Sequence, residues 1–183
     1  LCTAEEEKFL SLLQKLHDAT DGSGLGIDCS DEVFGPLTII GGIISLEDGH
    51  LRQRIDSRFP TATTGEEITQ KLNAFAQGFA ASFEAGHIDP PFLMPEDSPA
   101  IQALLLVYNR VTGKNAKAFT IGGGTYARHF TQGAAFGAED PDEVRPAFAG
   151  PIHGADEAAS IDGFMTALKI YIQAIWELQQ VDL

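Results

Sequence analysis

Basic residues are scarce in this 183-residue sequence: 12 lysines and arginines stand against 26 aspartates and glutamates, a formal net charge of −14. A surface built to neutralise phosphates needs the opposite balance, so no nucleic acid partner is expected. Cysteine is nearly absent too. Cys2 and Cys29 form neither a Cys-x-x-Cys pair nor part of a His/Cys cluster at zinc-finger spacing, which argues against a disulfide scaffold and for a reducing cytoplasm. Long apolar runs are missing: Ile39 to Leu46 and Ile101 to Tyr108 fall far short of the ~20 residues that cross a bilayer. Glu5 to Glu7 occupy the place where a signal peptide carries bases, so neither a membrane partner nor export is expected. What remains, 44% hydrophobic and 21% charged residues, is the composition of a globular chain long enough for one full domain or two small ones.

Apolar spacing organises the first half. Phe9, Leu12, Leu13 and Leu16 form one stripe of a helix over Glu5 to Leu16. The glycines and aspartates between Asp18 and Asp31 read as a loop. Two β-rich runs, Leu37 to Glu47 and Leu51 to Phe59, flank Asp48-Gly49, a dipeptide suited to a type I′ turn, and so predict an antiparallel hairpin. Leu51, Ile55 and Phe59 alternate with charged residues, which predicts one buried face. Thr64 with Glu67 forms a capping-box pattern for a helix whose stripe is Ile68, Leu72, Phe75 and Phe79, and a short strand is expected at Ala80 to Ala85. This α-β-β-α-β order lacks only a leading strand to become a ferredoxin-like βαββαβ sandwich.

The proline-rich stretch Asp89 to Pro99 marks a boundary between a unit at 1–88 and one at 89–183. Ser98 and Pro99 open a helix with apolar face Ile101, Leu104, Leu105 and Tyr108, and Gly113 closes it. A strand over Ala116 to Ile121, a Gly122-Gly123-Gly124 turn, a short helix from Thr125, a brief strand around Ala134 to Phe136 and a long loop follow. The chain then finishes in an amphipathic helix from Ser160 to about Gln179. The second unit therefore reads as an incomplete α/β domain.

The segment Gly122 to Arg128 is the most informative chemically. Glycines at a strand end admit a ligand to the backbone, the amides of a helix start favour an anion, and Arg128 offers a planar fork to a carboxylate. The same residues also suit an ordinary glycine turn beside a surface arginine. Gly113-Lys114-Asn115 fails as a phosphate loop, because Ser or Thr is required after the lysine. His153, in the loop Pro151-Ile152-His153-Gly154, suits either a metal ligand or a surface histidine. The other histidines, His17, His50 and His129, have no second ligand at suitable spacing. His87-Ile88-Asp89 and Glu66-Glu67 imitate the motifs of a two-zinc hydrolase, but the glutamates precede the H-x-D and sit where acids serve a helix cap, so both read as solvated surface.

The run Gly-Gly-Gly-Thr-Tyr-Ala-Arg from Gly122, then Ala135-Phe136-Gly137 and His153, resembles the C-terminal part of the dinuclear zinc dipeptidases of the PepV, or Xaa-His dipeptidase, type, within the aminoacylase/carboxypeptidase-like metallopeptidases. Ile55-Asp56-Ser57-Arg58-Phe59-Pro60 is similar to a strand end of that family's lid domain, and the match extends from about Gly35 to Leu178. The resemblance implies a ferredoxin-like lid followed by the end of a catalytic domain. It also implies that Arg128, with Gly122, Gly123, Gly124 and Thr125, holds the carboxylate of a dipeptide substrate, and that His153 is a zinc ligand. In that family the H-x-D strand, the bridging aspartate, the Glu-Glu pair with the general base, and the lid's opening strand all come earlier. Nothing here occupies those places. The expectation is thus a C-terminal portion of a zinc-dependent dipeptidase, inactive in isolation, with a homodimer through the lid as a further implied association. Asp156 stands where the family often has Asn. The alternative is a non-catalytic lid-type interaction module.

Overall fold

A computed structural model describes residues 3–137, 140 and 142–181. Cys2 and part of the loop that follows Gly137 lie outside them. The chain divides into two units, one running to Phe92 and including Thr120–Gly123, the other holding Leu93–Phe119 and the chain from Gly124 onward. Among the described residues there are four α-helices and two small antiparallel sheets, a mixed α and β structure.

In the first unit, helix α1 (Ala4–Asp18) begins with a full capping box: the Thr3 hydroxyl accepts the Glu6 amide, and the Glu6 carboxylate accepts the Thr3 amide. Strands β1 (Ser30–Asp31) and β2 (Gly35–Pro36) make a short ribbon. Strands β3 (Thr38–Glu47) and β4 (His50–Arg58) form the expected hairpin, closed at Glu47 opposite His50. Asp48 and Gly49 both have positive φ, 50° and 79°, as a type I′ turn requires. The core unites Leu16 of α1, Leu25, Ile27, Leu37, Ile39 of β3, and Ile68 and Leu72 of α2 (Gly65–Gln77). All packed hairpin residues, Leu37, Ile39, Ile55 and Phe59, lie at the end away from the turn. The turn end stays in solvent, so Leu51, expected on the buried face, is 43% exposed, beside Ile43 and Leu46 at 63% and 70%.

The cap of α2 is only half the expected box. Thr64 accepts the Glu67 amide, but the Glu67 carboxylate accepts the Thr63 hydroxyl instead of returning to Thr64. The strand expected at Ala80 to Ala85 is coil. The chain leaves α2 through a left-handed Ala80, φ 55°, with the Ala81 amide donating back to the Ala76 carbonyl. This turn spends the local backbone groups on the helix end, and no strand among the described residues pairs with 80–85. The hairpin sheet is therefore two-stranded, where a complete βαββαβ sandwich has more.

In the second unit, helix α3 (Pro99–Thr112) has Ser98 as its cap and a left-handed Gly113 as its end, φ 70°. Helix α4 (Ile161–Leu178) is capped by Ser160, whose hydroxyl accepts the Gly163 amide. The two helices pack through Val107 against Ile170 and Ala174, and Arg110 donates to Gln173 and Glu177. The strands expected at Ala116 to Ile121 and around Ala134 to Phe136 are coil. A side chain takes the place of a neighbouring strand at each. Asn109 Oδ1 accepts the Ala116 amide at 2.7 Å and its Nδ2 donates to the Ala116 carbonyl at 3.1 Å. The Tyr171 hydroxyl donates to the Phe136 carbonyl at 3.1 Å. These bonds satisfy both backbone groups of Ala116 and the Phe136 carbonyl, and the rest of the two runs pairs with no strand among the described residues. The α/β expectation for this unit is thus replaced by a helix pair with anchored coil.

Candidate functional site

Gly124, Thr125 and Arg128 share one turn of the second unit. Thr125 caps a short 3₁₀ turn, Tyr126–His129, its hydroxyl accepting the Ala127 amide at 3.3 Å and its carbonyl the Arg128 amide at 3.4 Å. Arg128 Nη1 lies 3.1 Å from where a Cβ on Gly124 would be, so the absent side chain gives the guanidinium room over the backbone. Gly133 is pinned against the same turn, since a Cβ there would stand 2.8 Å from the Ala127 carbonyl oxygen. Tyr126 is 86% exposed and Phe130 63%, so the turn carries aromatic rings in solvent as well as charge.

Gly122 and Gly123, which cluster with the first unit, have open space where side chains would be. None of the three glycines has a left-handed φ. Their contribution is therefore clearance and not turn geometry, and the strand expected just before them is coil. The helix-start contribution also shrinks, because Thr125 itself occupies the Ala127 and Arg128 amides. The group of this turn chemically suited to a carboxylate is the Arg128 guanidinium.

His153 belongs to a separate tight loop of the same unit. The Gly150 amide donates to the Asp156 carbonyl at 2.8 Å, the Gly154 amide to the Pro151 carbonyl at 2.9 Å, and the His153 amide to Glu157 Oε2 at 3.1 Å. His153 and Asp156 both adopt left-handed backbone, φ 61° and 59°. Short Asx side chains tolerate that region best, which gives Asp156 a conformational reason for its place. Gly150 is required outright, since a Cβ there would collide with the Ala155 carbonyl oxygen. The imidazole is thus carried on a loop whose backbone is closely specified and whose residues are exposed.

The motifs read as surface find ordinary partners. His87 Nε2 and Asp89 Oδ1 pair with each other at 3.0 Å, with the histidine side chain 85% exposed. Glu66 and Glu67 stand in the first turn of α2. His17 lies over Gly41, His50 opens β4, and His129 ends the 3₁₀ turn. Among the described residues no three His, Cys, Asp or Glu side chains gather as a metal site. One histidine is a third of the smallest catalytic zinc shell, so the residues described here do not by themselves fit zinc. Cys29 is a half-buried thiol whose pKa is raised chiefly by desolvation, the opposite of a reactive setting. No helix among the described residues is long and apolar enough to cross a membrane.

The chain is similar to proteins named dipeptidases. It is 35% identical over 176 residues to "Putative dipeptidase YtjP" of Bacillus subtilis, covering 94% of this chain and 36% of that protein. It is 31% identical over 178 residues to the Beta-Ala-Xaa dipeptidase of Lactobacillus delbrueckii subsp. lactis, again 94% of this chain and 36% of the relative. A third relative, "Putative dipeptidase SH1171" of Staphylococcus haemolyticus, is 31% identical over 166 residues, 89% of this chain and 34% of its own. The chain thus spans about a third of the length of the relatives it matches. No protein-family model matches it.

Sequence patterns missed the supports of these loops. Asn109 meets Ala116 and Tyr171 meets Phe136 without any periodic signal, and an interior Asn or Tyr on a helix face reads as surface or core until its partner is placed. Gly133 and Gly150 carried a weak signal as glycines, but a glycine alone does not reveal which backbone approaches it.

Proposed function

We propose that this chain supplies the carboxylate-recognition corner and one metal ligand of a zinc-dependent dipeptidase that hydrolyses the amide bond of dipeptides. The observation that carries this reading is the Thr125-capped turn that sets the Arg128 guanidinium against the side-chain-free face of Gly124. A fixed planar fork beside open backbone suits the terminal carboxylate of a short peptide, a group present in every unblocked dipeptide. The dipeptidase names of the relatives support the same substrate class. His153 would hold zinc only together with donors beyond the described residues, and the general base would come from there too. The PepV-type assignment rests on the Gly122 to Arg128 run and His153 together. The order helix, hairpin, helix in the first unit supports a reading of that unit as a partial ferredoxin-like lid. Two cysteines with a buried-leaning, unreactive Cys29 suit a cytoplasmic setting.

The test is hydrolysis of Ala-Ala and of its C-terminal amide, with zinc supplied, by the active polypeptide that contains this chain. A strong preference for the free carboxylate is expected, and Arg128→Lys should remove it because charge survives while the fork does not. Arg128→Lys with unchanged preference would overturn the assignment.

A second reading, an interaction module that pairs with another copy of itself, is favoured by one feature. The turn half of the hairpin exposes Ile43, Ile44 and Leu46, and Ile40 is exposed nearer its open end. Sedimentation of wild type against Ile43→Glu distinguishes it: a dimer lost in the variant supports the module, and a monomer in both removes it.

A further inference from the structure

Between Ala116 and Phe136 the described chain has no strand and only the four-residue 3₁₀ turn Tyr126–His129. A segment with so little internal ladder holds a side chain in place only through tethers to packed structure. Thr120–Gly123 belong to the first unit, where the Thr120 hydroxyl donates to the Val33 carbonyl at 2.7 Å, and the flanking stretches rely on the segment's ends. Both ends are fixed, each by one polar side chain from a packed helix of the same unit. Asn109 of α3 takes both backbone groups of Ala116, accepting at 2.7 Å and donating at 3.1 Å. This two-point clamp fixes the direction of the departing chain as well as its position. Tyr171 of α4 donates its hydroxyl to the Phe136 carbonyl at 3.1 Å and meets the Phe136 ring edge-on, centroids 6.0 Å apart. The two helices are themselves locked by Val107, Ile170 and Ala174. Between the anchors, Gly133 sits against the Ala127 carbonyl in a contact that leaves no room for a Cβ.

We propose that Asn109 and Tyr171 are positioning residues for carboxylate recognition: they anchor the two ends of the Ala116–Phe136 segment and so hold the Arg128 fork where a peptide carboxylate meets it. This rests on the reading of Arg128 given above. It assigns a role in ligand discrimination to two helix residues that touch no ligand. Neither is buried in an apolar core, and the aromatic packing of Tyr171 survives removal of its hydroxyl, so the hydrogen bonds are separable from the fold.

The chain itself serves for the test. Isotope-labelled protein is titrated with Ala-Ala and with Ala-Ala amide, following the backbone amide resonances of Gly124 and Thr125, which every variant retains, and the ratio of the two Kd values is the readout. Wild type should prefer the free carboxylate, and Arg128→Lys should abolish the preference. Tyr171→Phe and Asn109→Asp should each lower it roughly threefold to tenfold, the scale of one lost hydrogen bond. Asn109→Asp keeps the acceptor for the Ala116 amide but turns the donor into a carboxylate oxygen facing the Ala116 carbonyl, so Asn109→Ala, which removes both bonds without adding charge, is measured beside it and should lower the preference likewise. In an Arg128→Lys background the anchor variants should change neither Kd further, which a general loss of structure would not reproduce. If Arg128→Lys abolishes the preference while the anchor variants leave it at the wild-type ratio, the anchoring role is wrong and the Arg128 reading stands. If wild type shows no preference, or Arg128→Lys keeps it, the Arg128 reading fails and the anchoring role with it.

Discussion

One carboxylate oxygen of Asp31 accepts both the backbone amide and the hydroxyl of Thr61, each at 2.7 Å, across thirty positions of sequence. Its other oxygen accepts the amides of Val33 and Phe34 at 2.9 and 2.6 Å. The β1–β2 turn and the entry to α2 are thereby tied to a single charged group, and this has a pH signature. The Phe34 amide first, then the Thr61 hydroxyl, hold the Asp31 carboxyl below its ordinary range. A folded pKa below the unfolded value of about 3.9 gives stability that is present above that pH and lost as pH falls through the folded value. The thermal midpoint of the wild type should fall steeply below about pH 4. Asp31→Asn should lower the midpoint at neutral pH and flatten its acid dependence; parallel curves for the two proteins would contradict this.

Burial separates two kinds of isoleucine and leucine in the hairpin region. Leu37 is fully buried, whereas Ile43 is 63% exposed. Leu37→Ala should cost roughly 2–5 kcal/mol through lost transfer energy and a cavity. Ile43→Ala should change stability by no more than about 0.5 kcal/mol. Urea midpoints of the two variants check the contrast, and equal losses would show that the turn end is packed in solution.

Ala80 carries the left-handed turn that ends α2, an exposed position where a Cβ is a burden. Ala80→Gly removes a steric cost of roughly 1–2 kcal/mol and adds back some unfolded-chain entropy. A net gain of about 0.5–1 kcal/mol is expected, read as a higher melting temperature. A loss of stability would mean that 80–85 leaves the helix by another route.

Gly150 faces the Ala155 carbonyl with no space for a methyl group. Gly150→Ala should therefore open the loop that carries His153, breaking the Gly150 to Asp156 hydrogen bond. Hydrogen exchange should accelerate at Gly150, His153 and Gly154, while α3 and α4 keep wild-type protection. Unaltered exchange in the loop would show that Gly150 does not specify it.

Local chemistry made most of the elements readable from sequence alone. Thr64, Ser98 and Ser160 announce three helix starts, because each offers a hydroxyl to an amide only three residues on. Asp48-Gly49 announces the hairpin for the same reason: its conformational demand is met by the two residues themselves. The run Gly122 to Arg128 and His153 were equally visible as candidates, since residue type and short spacing define them. The strands at 80–85, 116–121 and 134–136 were misread because a strand exists only through a partner. What the backbone there pairs with was decided in three dimensions, by a left-handed exit from α2 and by the side chains of Asn109 and Tyr171. Tertiary structure likewise decided that Leu51 is in solvent, since alternation marks a face but not how far along the hairpin the helices reach. It also decided that Thr125 takes up the Ala127 and Arg128 amides that a sequence pattern offers to an anion.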